Sequence, residues 1–213
     1  VGGDWWTFDE LDNASLLTLV ADVTGHGRAA YLLATGLPHL WRMCLDQTAE
    51  TTHGPAAIMT AMDRELVEVL PEGLFVEATL AQFEYGPRGI TRLCAAGSAI
   101  VLLRSGQLRS LKIGGLFLGL SADVGRSETE LQFNRGDEVV LSTDGVWDQP
   151  IAPNGETRMR DRIAELGENM NPHGSAHDAV VAAWHRAVQA SGSQHDDACV
   201  VTVQHPGELE AKP

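Results

Sequence analysis

The feature that most constrains the fold is a change of punctuation in the middle of the chain. From Leu74 to Val140, short β-prone runs (Phe75 to Phe83, Gly89 to Ala95, Ala99 to Leu103, Gln107 to Leu111, Glu128 to Phe133) are separated by turns that carry glycine. Such a series predicts an antiparallel meander. Asn134-Arg135-Gly136-Asp137 then turns into a strongly apolar strand, Glu138 to Thr143, and two further strands are predicted at Ser15 to Val23 and Ala198 to Val203. Helical spacing brackets the strands: Arg28 to about Asp46 and Pro55 to Val69 before them, Arg158 to Leu166 and Ala176 to Ala190 after them. Helices in two blocks around a long run of strands predict an α+β fold of packed antiparallel sheets rather than a regularly alternating α/β fold. With no internal repeat and no low-complexity linker, one domain is expected over residues 1–204, followed by a disordered tail at 205–213.

Charge narrows the function. Lys and Arg total 15 against 29 Asp and Glu, a formal net charge of −14, which repels nucleic acid phosphates and anionic membrane surfaces. Cys44, Cys94 and Cys199 are far apart and odd in number, so neither a disulfide framework nor a zinc cage is expected, and a reducing cytoplasm fits. No apolar run approaches the roughly 20 residues that span a bilayer. The chain opens at Val1 inside what reads as a motif, which suggests a piece of a longer protein.

The aspartates show where that negative charge is spent. Asp4, Asp22, Asp144 and the pair Asp196-Asp197 each fall where an apolar strand meets a loop, and all but the last pair have a glycine within three residues. Glycine lets backbone approach a bound ion, while a strand end fixes the carboxylate. Mg2+ and Mn2+ take oxygen ligands, keep several waters and need few carboxylates, so these positions suit a binuclear site. Asp and Gly also favour turns for their own sake. It is the ordered repetition of the pattern that turns are a poor explanation for.

The motifs carry a resemblance. Val1-Gly2-Gly3-Asp4-Trp5-Trp6, Ala21-Asp22-Val23-Thr24-Gly25-His26-Gly27, Leu141-Ser142-Thr143-Asp144-Gly145-Val146 and Asp196-Asp197-Ala198-Cys199-Val200 resemble, in order and spacing, the motifs of PP2C-type (PPM) serine/threonine phosphatases, in the bacterial stage II sporulation protein E and RsbU branch. Ala95-Ala96-Gly97 and Gly115-Leu116-Phe117-Leu118-Gly119 are similar to weaker landmarks, so the resemblance covers nearly the whole chain. It implies an α-β-β-α sandwich of two antiparallel sheets flanked by helices, and two divalent cations, Mn2+ or Mg2+. By position, Asp22 would bridge the metals, the Val23 carbonyl would ligate the first, Asp144 and Asp196 the second, and Asp4 would act through metal-bound water. Asp197 is the alternative to Asp196, and Asp148 matches an acidic position that in some relatives holds a third metal. The family's Ala-Gly-His-x-Pro landmark reads Ala96-Gly97-Ser98-Ala99-Ile100 here. The strands that normally precede the Gly-Gly-Asp opening are missing, which would leave the first sheet short of an edge strand.

Two cations about 3.5–4 Å apart activate water and clamp phosphoryl oxygens, which allows in-line attack without a covalent intermediate. No nucleophile competes with that reading, since Cys94 and Cys199 read as core thiols. Gly25 and His26 are candidates for a phosphate contact, and for His26 both general-acid and purely structural roles stay open. His195 could orient the closing aspartates; His173, His177 and His185 read as surface residues. The resemblance further implies a phosphorylated anti-anti-sigma factor of the STAS type as substrate, an upstream sensor or receiver domain, and the helices after Asp22 as a relay. The alternatives are an inactive interaction domain of the same fold and a hydrolase of small phosphoesters.

Overall fold

The computed structural model describes residues 2–12, 15–25, 27–48, 54–86, 89–171 and 174–206. Among the described residues, eight strands run in chain order as β1 (Asp4–Asp12), β2 (Ser15–Val23), β3 (Val76–Glu84), β4 (Ile90–Ser105), β5 (Gln107–Gly115), β6 (Thr129–Gln132), β7 (Glu138–Ser142) and β8 (Val200–Gln204). The helices are α1 (Arg28–Thr48), α2 (Pro55–Val69), the one-turn α3 (Asp144–Trp147), α4 (Ile163–Asn169), entered through a 3₁₀ turn at Met159–Arg162, and α5 (Ala176–Ser191). The α+β reading holds.

All strand pairs are antiparallel, and β4 belongs to two sheets. Its first half pairs β3 and β6, in a sheet that continues through β2 to β1, and its second half pairs β5 and β7, with β8 beyond. The two runs predicted at 89–95 and 99–103 are therefore one strand of 16 residues. The change of partner falls between Ala96, opposite Ala78, and Gly97, opposite Gly115. Gly97 has φ +94°, a conformation that only glycine adopts without strain.

Strand alternation then sorts residues into layers. On β2, Leu17, Leu19, Ala21 and Val23 face the helix layer, where Leu37, Trp41, Ile58, Met62 and Leu66 of α1 and α2 cover them. Val20 points the other way, into a middle layer with Ala81, Phe83, Leu93, Val101, Phe133, Val139, Leu141 and Val203. The outer face of the second sheet packs Leu102 and Val140 against Val146, Trp147, Ile163 and Val180 from α3, α4 and α5. These three apolar interfaces make the α-β-β-α order. No helix of the described residues is long and apolar enough to cross a membrane.

β1 is absent from the sequence reading because its two faces do not sort by polarity. Asp9 faces α1, where it accepts from Trp41 Nε1 at 2.6 Å and pairs with Arg42 at 2.5 Å, while Trp6 and Phe8 stack on the other face and are half exposed. His205, where the tail was expected to begin, is buried: its N–H donates to the Asp137 carbonyl at 2.9 Å and its carbonyl accepts from Gly136 N at 3.1 Å. Residues 207–213 lie outside the described residues, as do Val1 and His173.

Candidate metal centre

Strand register assembles the site. Asp4 at the start of β1 lies directly opposite Asp22 at the end of β2, and Asp22 lies directly opposite Glu77 on β3. Directly opposed residues share a face, so three carboxylates stand in one row across the inner face of the first sheet. Sequence reasoning missed Glu77, because a lone Glu in an apolar strand reads as an outward-facing residue.

The second sheet supplies the rest. β7 directs Val139 and Leu141 inward, and Thr143 continues that alternation beyond its end. The Thr143 hydroxyl donates to Asp4 Oδ2 at 3.0 Å and accepts from Cys199 N at 2.9 Å, while Thr143 N donates to the Cys199 carbonyl at 3.1 Å. One residue thus joins β1, the end of β7 and the approach to β8. The next residue, Asp144, opens α3, and Asp196-Asp197 lie at the surface just before β8. Gln149, fully buried, holds the turn that leads to them. Its Nε2 donates to Ser191 Oγ at 2.9 Å and to the Ser193 carbonyl at 3.0 Å, and its Oε1 accepts from His195 N at 2.9 Å.

Two glycines allow the loops to meet. A Cβ on Gly3 would collide with the Val23 carbonyl and stand 2.6 Å from Asp22 Oδ1, and a Cβ on Gly145 would collide with the Asp197 carbonyl. The Gly3 carbonyl accepts from Val23 N at 3.2 Å. The loop after Asp22 is held from below by Thr24, whose N–H and hydroxyl donate to the Phe75 carbonyl at 3.0 and 2.8 Å. Gly25 is exposed there, with φ +94°; His26 lies outside the described residues. A buried ion pair backs this end of the fold: Asp63 of α2 accepts from Arg126 Nε at 2.6 Å and Gly119 N at 3.1 Å, which ties the 116–126 loop to the helix layer.

The electrostatics follow from this crowding. Burial, and then the charges of Asp4, Asp144, Asp196 and Glu77, push Asp22 up to about 8. Burial also lifts Asp4, to about 6; the Thr143 hydrogen bond opposes the rise, and the charges of Asp197, Asp144 and Asp196 add to it. Asp144 is raised by burial, then by Asp148 and Asp196. Asp148 itself is engaged by arginine, with Oδ1 2.7 Å from Arg160 Nη1 and its backbone carbonyl accepting from Arg158 Nη1 at 2.6 Å. Among the described residues, no three His, Cys, Asp or Glu side chains close around one point as a complete ligand set. An open array of carboxylates that repel one another fits hydrated Mg2+ or Mn2+, which keep several waters and take one or two carboxylates each.

The sequence model of the family described as stage II sporulation protein E matches residues 12–206. The chain belongs to this family. Among curated proteins it is 24% identical over 148 residues to the phosphoserine phosphatase RsbU of Bacillus subtilis (strain 168), a match that takes in 68% of the chain. The chain spans 43% of that relative's length. Solved structures share the fold of this stage II sporulation protein E domain. The SiaA-PP2C domain of Pseudomonas aeruginosa superposes with a TM-score of 0.76 at 22% identity, over 96% of this chain and 81% of that one. RsbX in complex with magnesium superposes with a TM-score of 0.64 at 15% identity, over 95% and 86%.

Proposed function

We propose that this domain is a metal-dependent protein serine/threonine phosphatase, acting through two divalent cations held at the mouth of the sandwich. The observation that carries the reading is the row Asp4–Asp22–Glu77, completed from the other sheet by Asp144. Like charges directly opposed on a sheet are destabilising, so a row of three needs a compensating positive charge. Membership in the stage II sporulation protein E family and the likeness to a phosphoserine phosphatase supply the chemistry that such a charge would serve.

In this reading Asp22, at the centre of the row, and the Val23 carbonyl beside it would hold the cations. Asp144 and Asp196 would hold them from the side of the second sheet, with Asp197 as the alternative to Asp196. Asp4, fixed by Thr143, would act through water, and Asp148 would contribute to a weaker third position once it leaves Arg160. Bound at this site, Mn2+ or Mg2+ supplies Lewis acidity and a water activated for attack on phosphorus. The chain's own part is to hold the carboxylates in place and to leave the mouth open to a phosphoserine or phosphothreonine. A phosphorylated STAS-type anti-anti-sigma regulator is the proposed substrate and the cytoplasm the proposed setting, both resting on the RsbU likeness.

Hydrolysis of p-nitrophenyl phosphate and of a phosphothreonine peptide, with and without Mn2+, tests the reading. Activity that requires Mn2+ and vanishes in Asp22→Ala and Asp144→Ala is expected. No activity together with no Mn2+ binding by calorimetry would favour a binding domain of the same fold, and hydrolysis of the small ester alone would favour a small phosphoester substrate.

A further inference from the structure

Glu77 belongs to none of the family motifs named above, yet its surroundings are built around it. Its Oε1 accepts from Ser98 N at 2.9 Å. Ser98 stands where the family's landmark has histidine, directly after the residue at which β4 changes sheets. A Cβ on Gly97 would lie 2.6 Å from the Glu77 carboxyl carbon, so the backbone has no room for both a side chain at 97 and this carboxylate. Beside the row, Glu77, Asp22, Ser98, Thr143, Asp144 and Trp147 are among the residues that line a cavity of about 10 Å³, roughly the space for one water.

We propose that Glu77 is a positioning residue of the cation centre: clamped by the Ser98 N–H and directly opposite Asp22, it adds its negative charge beside the ligands. Outer-shell carboxylates of this kind fix the ligands in orientation and raise their affinity for the ion. Burial raises Glu77 above the usual carboxylate range and Asp144 and Asp148 add to the rise, while Asp22 faces it across the ladder. This inference rests on the metal-centre reading above.

The test is Mn2+ binding by calorimetry, with metal-free melting as the check on folding. Glu77→Gln keeps an oxygen for the Ser98 N–H and removes only the charge. We expect its Mn2+ affinity to fall by about tenfold, the lower end of the range for outer-shell residues, with metal-free melting unchanged or higher. Glu77→Asp restores the charge on a shorter arm and recovers most of that affinity. Glu77→Gln binding within about twofold of the parent, while Asp22→Asn in the same titration loses Mn2+, would overturn the role of Glu77 and leave the metal-centre reading standing; outer-shell changes are larger than that. Equal weakness in Glu77→Gln and Glu77→Asp would also overturn it, by showing that shape and not charge matters. A parent chain that binds no Mn2+ at all would overturn both readings together.

Discussion

The Thr143 hydroxyl donates to the Asp4 carboxylate at 3.0 Å, across 139 residues of chain and from one sheet to the other. The same oxygen accepts from Cys199 N, so a single side chain aligns the start of the first motif with the third and the last.

Thr143→Val, nearly isosteric, removes both bonds and leaves the Cys199 N–H and the Asp4 carboxylate each short of a partner. Urea unfolding of the metal-free domain should show a loss of about 1–3 kcal/mol, the penalty for buried polar groups left unpaired. Half-maximal phosphatase activity should need more Mn2+, since Asp4 is no longer held. Unchanged stability and an unchanged Mn2+ requirement would show that the bond does not matter.

Asp22→Asn separates stability from activity. Activity should fall by roughly a hundredfold or more, equivalent to about 3 kcal/mol of transition-state stabilisation. Metal-free melting should rise, because the variant relieves repulsion from Asp4, Asp144 and Asp196. Melting and turnover that fall together would mean that Asp22 is a structural residue.

Asp4 and Asp22 lie above the usual carboxylate value in the folded chain, at about 6 and about 8, so the folded state holds their protons more tightly than the unfolded state does. Their contribution to stability is complete below about pH 4 and is lost as pH rises, through about 6 for Asp4 and about 8 for Asp22. Divalent cations compete for the same oxygens, so Mn2+ should raise the melting temperature more near pH 8 than near pH 5. Melting curves in EDTA and in Mn2+ across that window check this, and parallel curves would refute it.

The Asp63–Arg126 pair gives a prediction away from the carboxylate row. Both side chains are almost wholly buried, and removing one partner strands the other charge. Arg126→Met should destabilise the domain by about 3–5 kcal/mol, whereas Asp63→Leu combined with Arg126→Met should lose much less. Comparable losses from the single and double variants in urea unfolding would show that the pair's charges are not the issue.

Much of the fold was legible because periodicity reports layers. The helix stripes with Leu37, Trp41, Ile58 and Leu66 and the strand Ser15 to Val23 lie where their patterns put them. β1 was hidden because Asp9 points at a helix, where Trp41 and Arg42 satisfy it, while the apolar Trp6 and Phe8 point toward solvent. α3 is a single turn, too short to show a period. Asp4, Asp22 and Asp144 could be picked out because each ends or begins an element beside a glycine. Glu77 could not, since its role depends on which residue faces it across a ladder, and register is set by the whole sheet. Gln149 and Thr143 were missed for the same reason: their partners are distant in sequence.

The passage of β4 from one sheet to the other at Gly97 makes the cleft a calliper. One jaw carries Asp4, Asp22 and Glu77, the other carries Asp144, and the pivot is a single unbroken strand. The span between the jaws is thus set by the thickness of the middle layer, where Phe83, Val101, Phe133 and Leu141 meet. Interiors packed this closely transmit a change in volume instead of absorbing it. A methylene added at Val101 is therefore a change in the gauge of the carboxylate cleft, although the residue carries none of its oxygens.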